Sequence, residues 1–346
     1  MRKIRLHSAQ PGATESGRIL ARSRMKALAR RLGFSDARVQ LMETVLAEML
    51  SNQAKYAGGT GQIQIWELQT TAGEGIIDLF ALDYGPGIAD LSVACRDGSS
   101  TGGTLGKGLG AITRLADLAS LHTQCTGAGR WSGVAVWARF CAVDPDRAPD
   151  MRHGVYLRAL NDDRHCGDAV WVSCAGRRLS WLHMDGLGHG QEAAEAVHGR
   201  DRLLKQLPER GCAGVLQTLD RELRRSRGAV AVLGRLDATT GGMELCGVGD
   251  MQAWRVTHED RQGLHFNAGV LGREHRRPEE RRLELTPGEL FVTASDGIRG
   301  RWHPRDYPGL WGRHPQLIAY LLGELEGRTN DDRSLLVLGH GDTSFE

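Results

Sequence analysis

The sequence predicts an α+β protein built as two layered domains. Strands and helices fall in groups rather than alternating one by one, which favours sandwiches over a doubly wound sheet. The chain has 346 residues, suited to about two domains at roughly 150 residues each. Between its halves, "CAVDPDRAPDMRHG" has two prolines, several aspartates and no apolar period, the composition of a linker. The boundaries read as a first domain over 1–141, a linker over 142–153 and a second domain over 154–346.

The elements follow in order. "ATESGRILARSRMKALARRLGF" reads as a helix. "SDARVQLMETVLAEMLSNQAKYAGG" is a stronger one, because Met42, Val45, Leu46, Met49 and Leu50 repeat at helical spacing. Ser35 or Asp36 can cap its start, and Gly58 and Gly59 can end it. "GQIQIWELQ" and "GIIDLFALD" read as strands, "GLGAITRLADL" as a helix, and "ASLHTQC" and "GVAVWARF" as strands. The second half opens with strands at "GVYLRAL", "GDAVWVSC" and "RRLSWLHMD". Helices near 190–206 and 212–226 come next. Strands at "GAVAVLGRLDA", "GGMELCGVGD", "MQAWRVT" and "GELFVTASD", a helix at "PQLIAYLLGELEG" and a final strand "RSLLVLGH" complete the chain.

Composition excludes several classes. The chain is 40% hydrophobic and 25% charged, with a net charge of +2. Those are ordinary values for a soluble globular protein, and nothing in the balance marks a general nucleic-acid or membrane binder. Seven cysteines without a CxxC pair argue against a disulfide framework or a zinc knuckle and favour reduced thiols in a cytoplasm. The basic N-terminus lacks the apolar core of a secretory signal. No stretch reaches the ~20 apolar residues of a membrane span.

Three stretches of the first half carry chemistry. Glu48 and Asn52 lie four apart on one helix face, at the edge of the apolar stripe, where half-buried polar groups need partners. In "LDYGPGI", Asp83 ends a strand beside Gly85 and Gly87, so a carboxylate stands at the lip of a tight turn. "DGSSTGGTLGKGLGAITRL" has five glycines between 102 and 110. Their free N–H groups, with a helix start near Leu109, can cradle phosphates. The order differs from that of a P-loop or a Rossmann loop.

Taken together, "EMLSNQAKYA", "DYGPGI" and "GKGLG" resemble the N, G1 and G2 boxes of the GHKL ATP-binding fold, an α/β sandwich with helices on one face of a mixed sheet. They most resemble the small serine kinases that act as anti-sigma or switch kinases in bacterial partner switching. The resemblance covers about residues 5–141. It implies Glu48 as a base, Asn52 as the holder of Mg²⁺ on ATP, and Asp83 as the reader of adenine with Gly85 and Gly87 shaping its pocket. Gly106, Gly108 and Gly110 would form the phosphate lid, with Lys107 and Thr101 nearby. One departure is "GRWSGVAV", where Ser132 takes the place of the family's late threonine.

In the second half, carboxylates recur at strand ends: Asp168, Asp185 in "DGLGHG", Asp296 in "TASDG", and Asp331 with Asp332 in "TNDDRS". Each alone reads as a turn. Gathered on one edge they would repel one another unless hard divalent cations sat between them, and Gly186 would let its own carbonyl approach such an ion. A metal-bound water can attack phosphorus in line.

The order "GD … DGLGHG … GVGD … SDG … NDDRS" resembles the metal-dependent type 2C serine/threonine phosphatases of the SpoIIE/RsbX branch, an αββα sandwich, over about residues 153–340. The resemblance implies two Mn²⁺ or Mg²⁺ ions on Asp185, the Gly186 carbonyl, Asp296 and Asp331. Asp168 would be a weaker ligand and Asp332 a support outside the ligand set. His189 reads as a helix cap or core residue, with proton donation to the leaving oxygen as its alternative, and Asp250 as a turn or support residue rather than a ligand.

Three functions compete. The first is a kinase and a phosphatase acting on the same kind of STAS-domain partner. The second is a phosphatase whose ATP domain senses nucleotide or grips a partner, a sigma factor among them. The third is a scaffold with both sites dead, which the complete carboxylate set disfavours. The family also admits a homodimer through the N-terminal domain.

Overall fold

The computed structural model describes residues 3–12, 14–70, 72–95, 108–143 and 153–340. The first domain contains a five-stranded sheet of order β1-β2-β3-β5-β4. Its strands are β1 (Lys3–Pro11), β2 (Gln62–Gln69), β3 (Gly75–Leu82), β4 (Leu118–Gln124) and β5 (Gly133–Cys141). β1 was not anticipated. Every pairing in this sheet is antiparallel, which corrects the expectation of a mixed sheet. The crossover from β3 to β4 does leave those two strands parallel, but β5 inserts between them and pairs with both.

One face of the sheet carries α1 (Glu15–Arg31), α2 (Asp36–Tyr56) and α4 (Gly108–Leu115). Thr14 caps α1 by accepting from the Gly17 N–H, and Ser35 caps α2 by accepting from the Arg38 N–H, as side-chain oxygens do at helix starts. Gly58 and Gly59 adopt positive φ just past α2, which glycine tolerates and most residues do not. A single turn, α3 (Leu91–Ala94), precedes the segment 96–107. That segment lies outside the described residues, as does most of the expected linker.

The second domain stacks two five-stranded sheets. One has the order β13-β10-β9-β8-β7, from β7 (Asp168–Ala175), β8 (Arg178–Gly186), β9 (Ala229–Asp237), β10 (Gly242–Val248) and β13 (Arg281–Glu284). Its outer face packs against α5 (Gln191–Val197) and α6 (Leu207–Leu223). The other has the order β12-β11-β14-β15-β6, from β6 (His153–Arg158), β11 (Gln252–Val256), β12 (Arg261–Leu264), β14 (Leu290–Ala294) and β15 (Arg333–Gly339). Of these strands only β12 and β13 were unforeseen; both are short and charged. Among the described residues no helix is long and apolar enough to cross a membrane.

The two domains share a core through α7 (Pro315–Leu325). Every residue from Pro315 to Gly323 is buried, as a helix covered on both sides must be. One side lies on β6 and β15, the other on the first domain's sheet. Trp66 stacks on Tyr320 with ring centroids 4.8 Å apart. Beneath them Arg139 and Asp78, cross-strand partners on β5 and β3, form a fully buried two-point ion pair at 2.6 Å. α7 completes it: the Tyr320 hydroxyl donates to Asp78 at 2.9 Å, and Arg139 donates to Gln316 at 3.2 Å. A buried pair of this kind holds only when its remaining hydrogen-bonding positions are filled, so the helix of the second domain completes the sheet of the first.

Candidate functional site

The first site is a cavity of about 510 Å³ between α2, α4 and the ends of β3 and β5, a size suited to a small ligand. Asn52, Asp83, Gly87 and Gly108 line it, with Met49, Ile88 and Val136 supplying apolar wall. Asp83 directly follows β3 and is 8% exposed. Burial raises its pKa, opposed by N–H groups of Gly85 and Val134 that donate to Oδ1 at 2.9 and 3.1 Å. Those two bonds fix the carboxylate and leave Oδ2 for a ligand donor.

Gly87 has φ +80°, and a Cβ there would sit 2.4 Å from the Gln124 carbonyl oxygen, so the turn needs glycine. A Cβ on Gly85 would lie 3.0 Å from the Tyr56 carbonyl oxygen, and one on Gly110 2.4 Å from that of Cys95. Both glycines let backbone segments approach closely.

Glu48 and Asn52 converge as expected. The start of α4 reaches them: a Cβ on Gly108 would stand 3.3 Å from Glu48 Oε2 and 3.7 Å from both Asn52 side-chain heteroatoms. Asn52 Nδ2 is buried without a partner, an uncommon state for an amide. Thr101, Gly106 and Lys107 lie outside the described residues.

Two residues at this site escaped the sequence reading. Thr123 on β4 accepts from the Ile88 N–H at 2.7 Å and donates to the Gly133 carbonyl at 3.1 Å, tying the turn after Asp83 to the start of β5. Gln53, 2% exposed, donates to the carbonyls of Gln62 and Leu82 and pins α2 to both strand ends. Its neighbours Gly12 and Gly61, where a Cβ would strike Gln53, were the available signal.

The second site lies where the two sheets of the second domain meet. Asp168 starts β7 and faces Asp185 near the end of β8 as its cross-strand partner. Asp296 follows β14 and Asp331 precedes β15, adjacent strands of the opposing sheet. Burial pushes Asp185 up to about 9, with Asp168, Asp296, Asp331 and Asp250 adding repulsion. Burial pushes Asp168 up to about 7 against the pull of hydrogen bonds from Ser295 and Ser334, with Asp332 and Asp296 adding to the rise. Burial, then Asp331 and Asp250, raises Asp296. Asp250 stands in the bend between β10 and β11, exposed, and its charge adds to the rise of Asp185 and Asp296.

The cluster fits hard divalent cations. Its donors are carboxylate oxygens, the preferred ligands of Mg²⁺ and Mn²⁺, and Asp168 Oδ2 is buried with no hydrogen-bond partner. Among the described residues no group of three or more His, Cys, Asp or Glu side chains is already arranged to hold a metal ion.

Asp332 stands outside the ligand set. It accepts from the N–H groups of Leu160 and Gly167, both at 2.7 Å, and so fixes the strand start that presents Asp168. A Cβ on Gly186 would sit 2.8 Å from the Ala193 carbonyl oxygen, and one on Gly297 1.8 Å from that of Asp332. These glycines allow the close approach that brings the acids together. His189 is exposed, and Gly190 stands at the α5 N-cap with no side-chain cap. The expected cap or core role is therefore corrected: the helix starts directly after a glycine with φ +81°, and the imidazole faces outward.

Known proteins resemble each half. Residues 13–133 match the histidine kinase-like ATPase domain, and residues 175–340 match the stage II sporulation protein E (SpoIIE) family. The serine/threonine-protein kinase RsbT of Bacillus subtilis (strain 168) is 35% identical over 126 residues, 36% of this chain and 92% of RsbT. A chain of a solved bacterial stressosome structure is 29% identical, covering 54% of this chain and 97% of its own length with a TM-score of 0.48. RsbX in complex with magnesium is 17% identical, covering 53% and 92%, with a TM-score of 0.47. The chain belongs to the RsbT family of histidine kinase-like ATPase domains through its first half, and its second half matches the SpoIIE family model.

Proposed function

We propose that the protein is a partner-switching regulator that removes phosphate from phosphoserine or phosphothreonine on a STAS-domain protein, and that its first domain phosphorylates a serine on the same kind of partner. The observation that carries the phosphatase half is the gathering of Asp168, Asp185, Asp296 and Asp331 at strand ends of two facing sheets around a partnerless buried oxygen, where burial and neighbouring acids raise the pKa of Asp168, Asp185 and Asp296. Asp185, the Gly186 carbonyl, Asp296 and Asp331 would hold two Mn²⁺ or Mg²⁺ ions, with Asp168 contributing through Oδ2. Bound there, the ions supply charge neutralisation for a phosphoryl group and acidify water at neutral pH.

The protein's own groups do the rest. Ser295 and Ser334 beside Asp168 pull its pKa down against the effect of burial. Asp332 keeps the Gly167 backbone in register with Gly186, whose N–H donates to the Gly167 carbonyl at 2.9 Å. His189, exposed at the end of the Asp185 turn, gives a proton to the departing serine oxygen.

In the first domain, Asp83 Oδ2 would accept from the adenine amine, Asn52 would hold Mg²⁺ on the phosphates, and Glu48 would take the proton of the substrate hydroxyl. The test uses Mg-ATP with a STAS partner, then the phosphorylated partner with Mn²⁺. Transfer lost in Glu48→Gln and release lost in Asp296→Asn are expected. No release by the wild type with any divalent ion would overturn the phosphatase reading.

A second reading makes the ATP domain a nucleotide sensor for the phosphatase, and one contact favours it. The rim of the nucleotide pocket includes a loop held by Trp131, which donates to the Asp83 carbonyl at 3.0 Å. That loop also reaches the second domain. The Arg130 N–H donates to the Asp306 carbonyl at 3.2 Å, and the Arg130 side chain lies 3.2 Å from Glu326. The Glu326 carbonyl in turn accepts from the Arg299 N–H at 2.8 Å, three residues after Asp296. Gly129→Val places a side chain against the Asp306 carbonyl, 2.3 Å from where a Cβ would lie. Under this reading ATP changes the wild-type rate on p-nitrophenyl phosphate, and Gly129→Val removes that response. A rate independent of ATP contradicts it.

A further inference from the structure

Arg328 lies in "EGRTNDD", between α7 and Asp331. Residues 326–328 run antiparallel to 297–299, the segment directly after Asp296. Ile298 and Gly327 form an antiparallel bridge. The Arg299 N–H donates to the Glu326 carbonyl and the Arg328 N–H to the Gly297 carbonyl, both at 2.8 Å. Gly297 is closed in on another side by Asp332, whose carbonyl oxygen would lie 1.8 Å from a Cβ. The Arg328 backbone is thereby fixed beside the residue that follows Asp296, on the segment that leads into Asp331.

Its guanidinium is uncommitted. Arg328 is exposed, and among the described residues its side chain has no hydrogen bond or ion pair. Cations nearby are spent on other partners. Arg299 donates to the Gly327 carbonyl at 2.9 Å. Arg227, which stands against Gly188 of the Asp185 turn, is paired with Glu192 at 2.6 Å. Arg328 also makes no direct pair with Asp296 or Asp331. A guanidinium locked onto those carboxylates would compete with metal for their oxygens. Its charge is still felt there: burial, Asp331 and Asp250 raise the Asp296 carboxyl, and Arg328 opposes them.

The chemistry of the group says what it can hold. A guanidinium is always charged, and its planar fork of N–H donors matches two oxygens of one phosphate. A phosphoryl group brought to this cluster carries negative charge towards carboxylates, so a cation beside the ions offsets repulsion. We infer that Arg328 binds the phosphate of the substrate, its guanidinium donating to the non-bridging oxygens while the Gly297 bond keeps it at the Asp296 turn. It binds and moves no proton. This role rests on the phosphatase reading above and deepens it.

Titration calorimetry of inorganic phosphate into the full chain in excess Mn²⁺ reads the contact directly. Arg328→Met keeps the side chain's length and loses its charge. It should weaken phosphate binding about tenfold or more, as loss of charge-assisted hydrogen bonds does. Arg328→Lys, a point charge without the fork, should recover only part of that loss. Mn²⁺ affinity, titrated without phosphate, should be unchanged or slightly tighter, because a neighbouring positive charge is gone. With p-nitrophenyl phosphate, KM should rise by the factor seen for phosphate while kcat holds. The side chain is exposed, so both variants should fold. Equal phosphate affinity in the wild type and Arg328→Met, or none in either, overturns the inference. So does a parallel fall in Mn²⁺ affinity, which would make Arg328 a support of the ions. A wild type that binds phosphate but hydrolyses no p-nitrophenyl phosphate would overturn the phosphatase reading instead, with the phosphate affinities still deciding this one.

Discussion

Replacing Asp185 by asparagine should stabilise the metal-free protein while abolishing phosphatase activity. The cause is the raised pKa of this carboxyl, which burial and the facing acids push up to about 9, against about 3.9 in an unfolded chain. The folded state keeps a proton that the unfolded state releases. The group's contribution to stability is therefore full below pH ~4 and declines as pH rises from about 4 towards 9. At pH 7 the two states differ over roughly three pH units, which at about 1.4 kcal/mol per unit sets an upper limit of roughly 4 kcal/mol. Asp168, Asp296 and Asp331 share the repulsion, so a gain of about 2 kcal/mol is the working expectation. The assay is urea unfolding in a chelator at pH 5 and pH 8, beside p-nitrophenyl phosphate turnover in Mn²⁺. Asp185→Asn should gain more at pH 8 than at pH 5, lose most of the stabilisation by Mn²⁺, and show no turnover. An unchanged or lowered metal-free stability at pH 8 would refute the claim that these acids are forced together.

Other perturbations test other parts of the structure. Asp78→Asn leaves a buried arginine without its counter-ion and should cost about 3–5 kcal/mol in urea unfolding; a loss under 1 kcal/mol would contradict the shared-core description. Because α7 packs on both domains, the wild type should unfold in one calorimetric transition, and two well-separated transitions would count against that packing. Asp83→Asn keeps an oxygen to accept from Gly85 and Val134, so the fold should persist while ATP affinity, read with a fluorescent nucleotide, falls at least tenfold; unchanged affinity would remove Asp83 from the site. Gly297→Ala forces a Cβ to within 1.8 Å of the Asp332 carbonyl oxygen and should cost roughly 1–3 kcal/mol as the β15 start is displaced; a neutral effect would show that this close approach is not required.

Local patterns made much of this fold legible. The helical period and caps of α2, the Asp83 turn and the carboxylates at strand ends each depend on neighbours a few residues away. Features created by the contact between domains were not legible. "QIQIWELQ" alternates like a strand with one wet face, yet Gln64, Trp66 and Leu68 on that face are buried by α7, an element about 250 residues later. The clue was in α7 itself, since "PQLIAYLLG" is apolar on every side and needs two covers. The nearness of the "GVGDM" turn to Asp185 and Asp296 was not legible either, because only the packing of two sheets brings the Asp250 charge there. His189 was misjudged because a histidine before a helix suggests a cap, whereas Gly190 supplies the bend.

Soaking crystals of the protein in Mn²⁺ and collecting anomalous diffraction bears most directly on the proposed chemistry. Two peaks are expected between the sheets of the second domain, within bonding distance of residues from the set Asp185, the Gly186 carbonyl, Asp296 and Asp331. Manganese bound elsewhere, with no ion within bonding distance of Asp185 or Asp296, would contradict the assignment of these residues to a phosphatase centre.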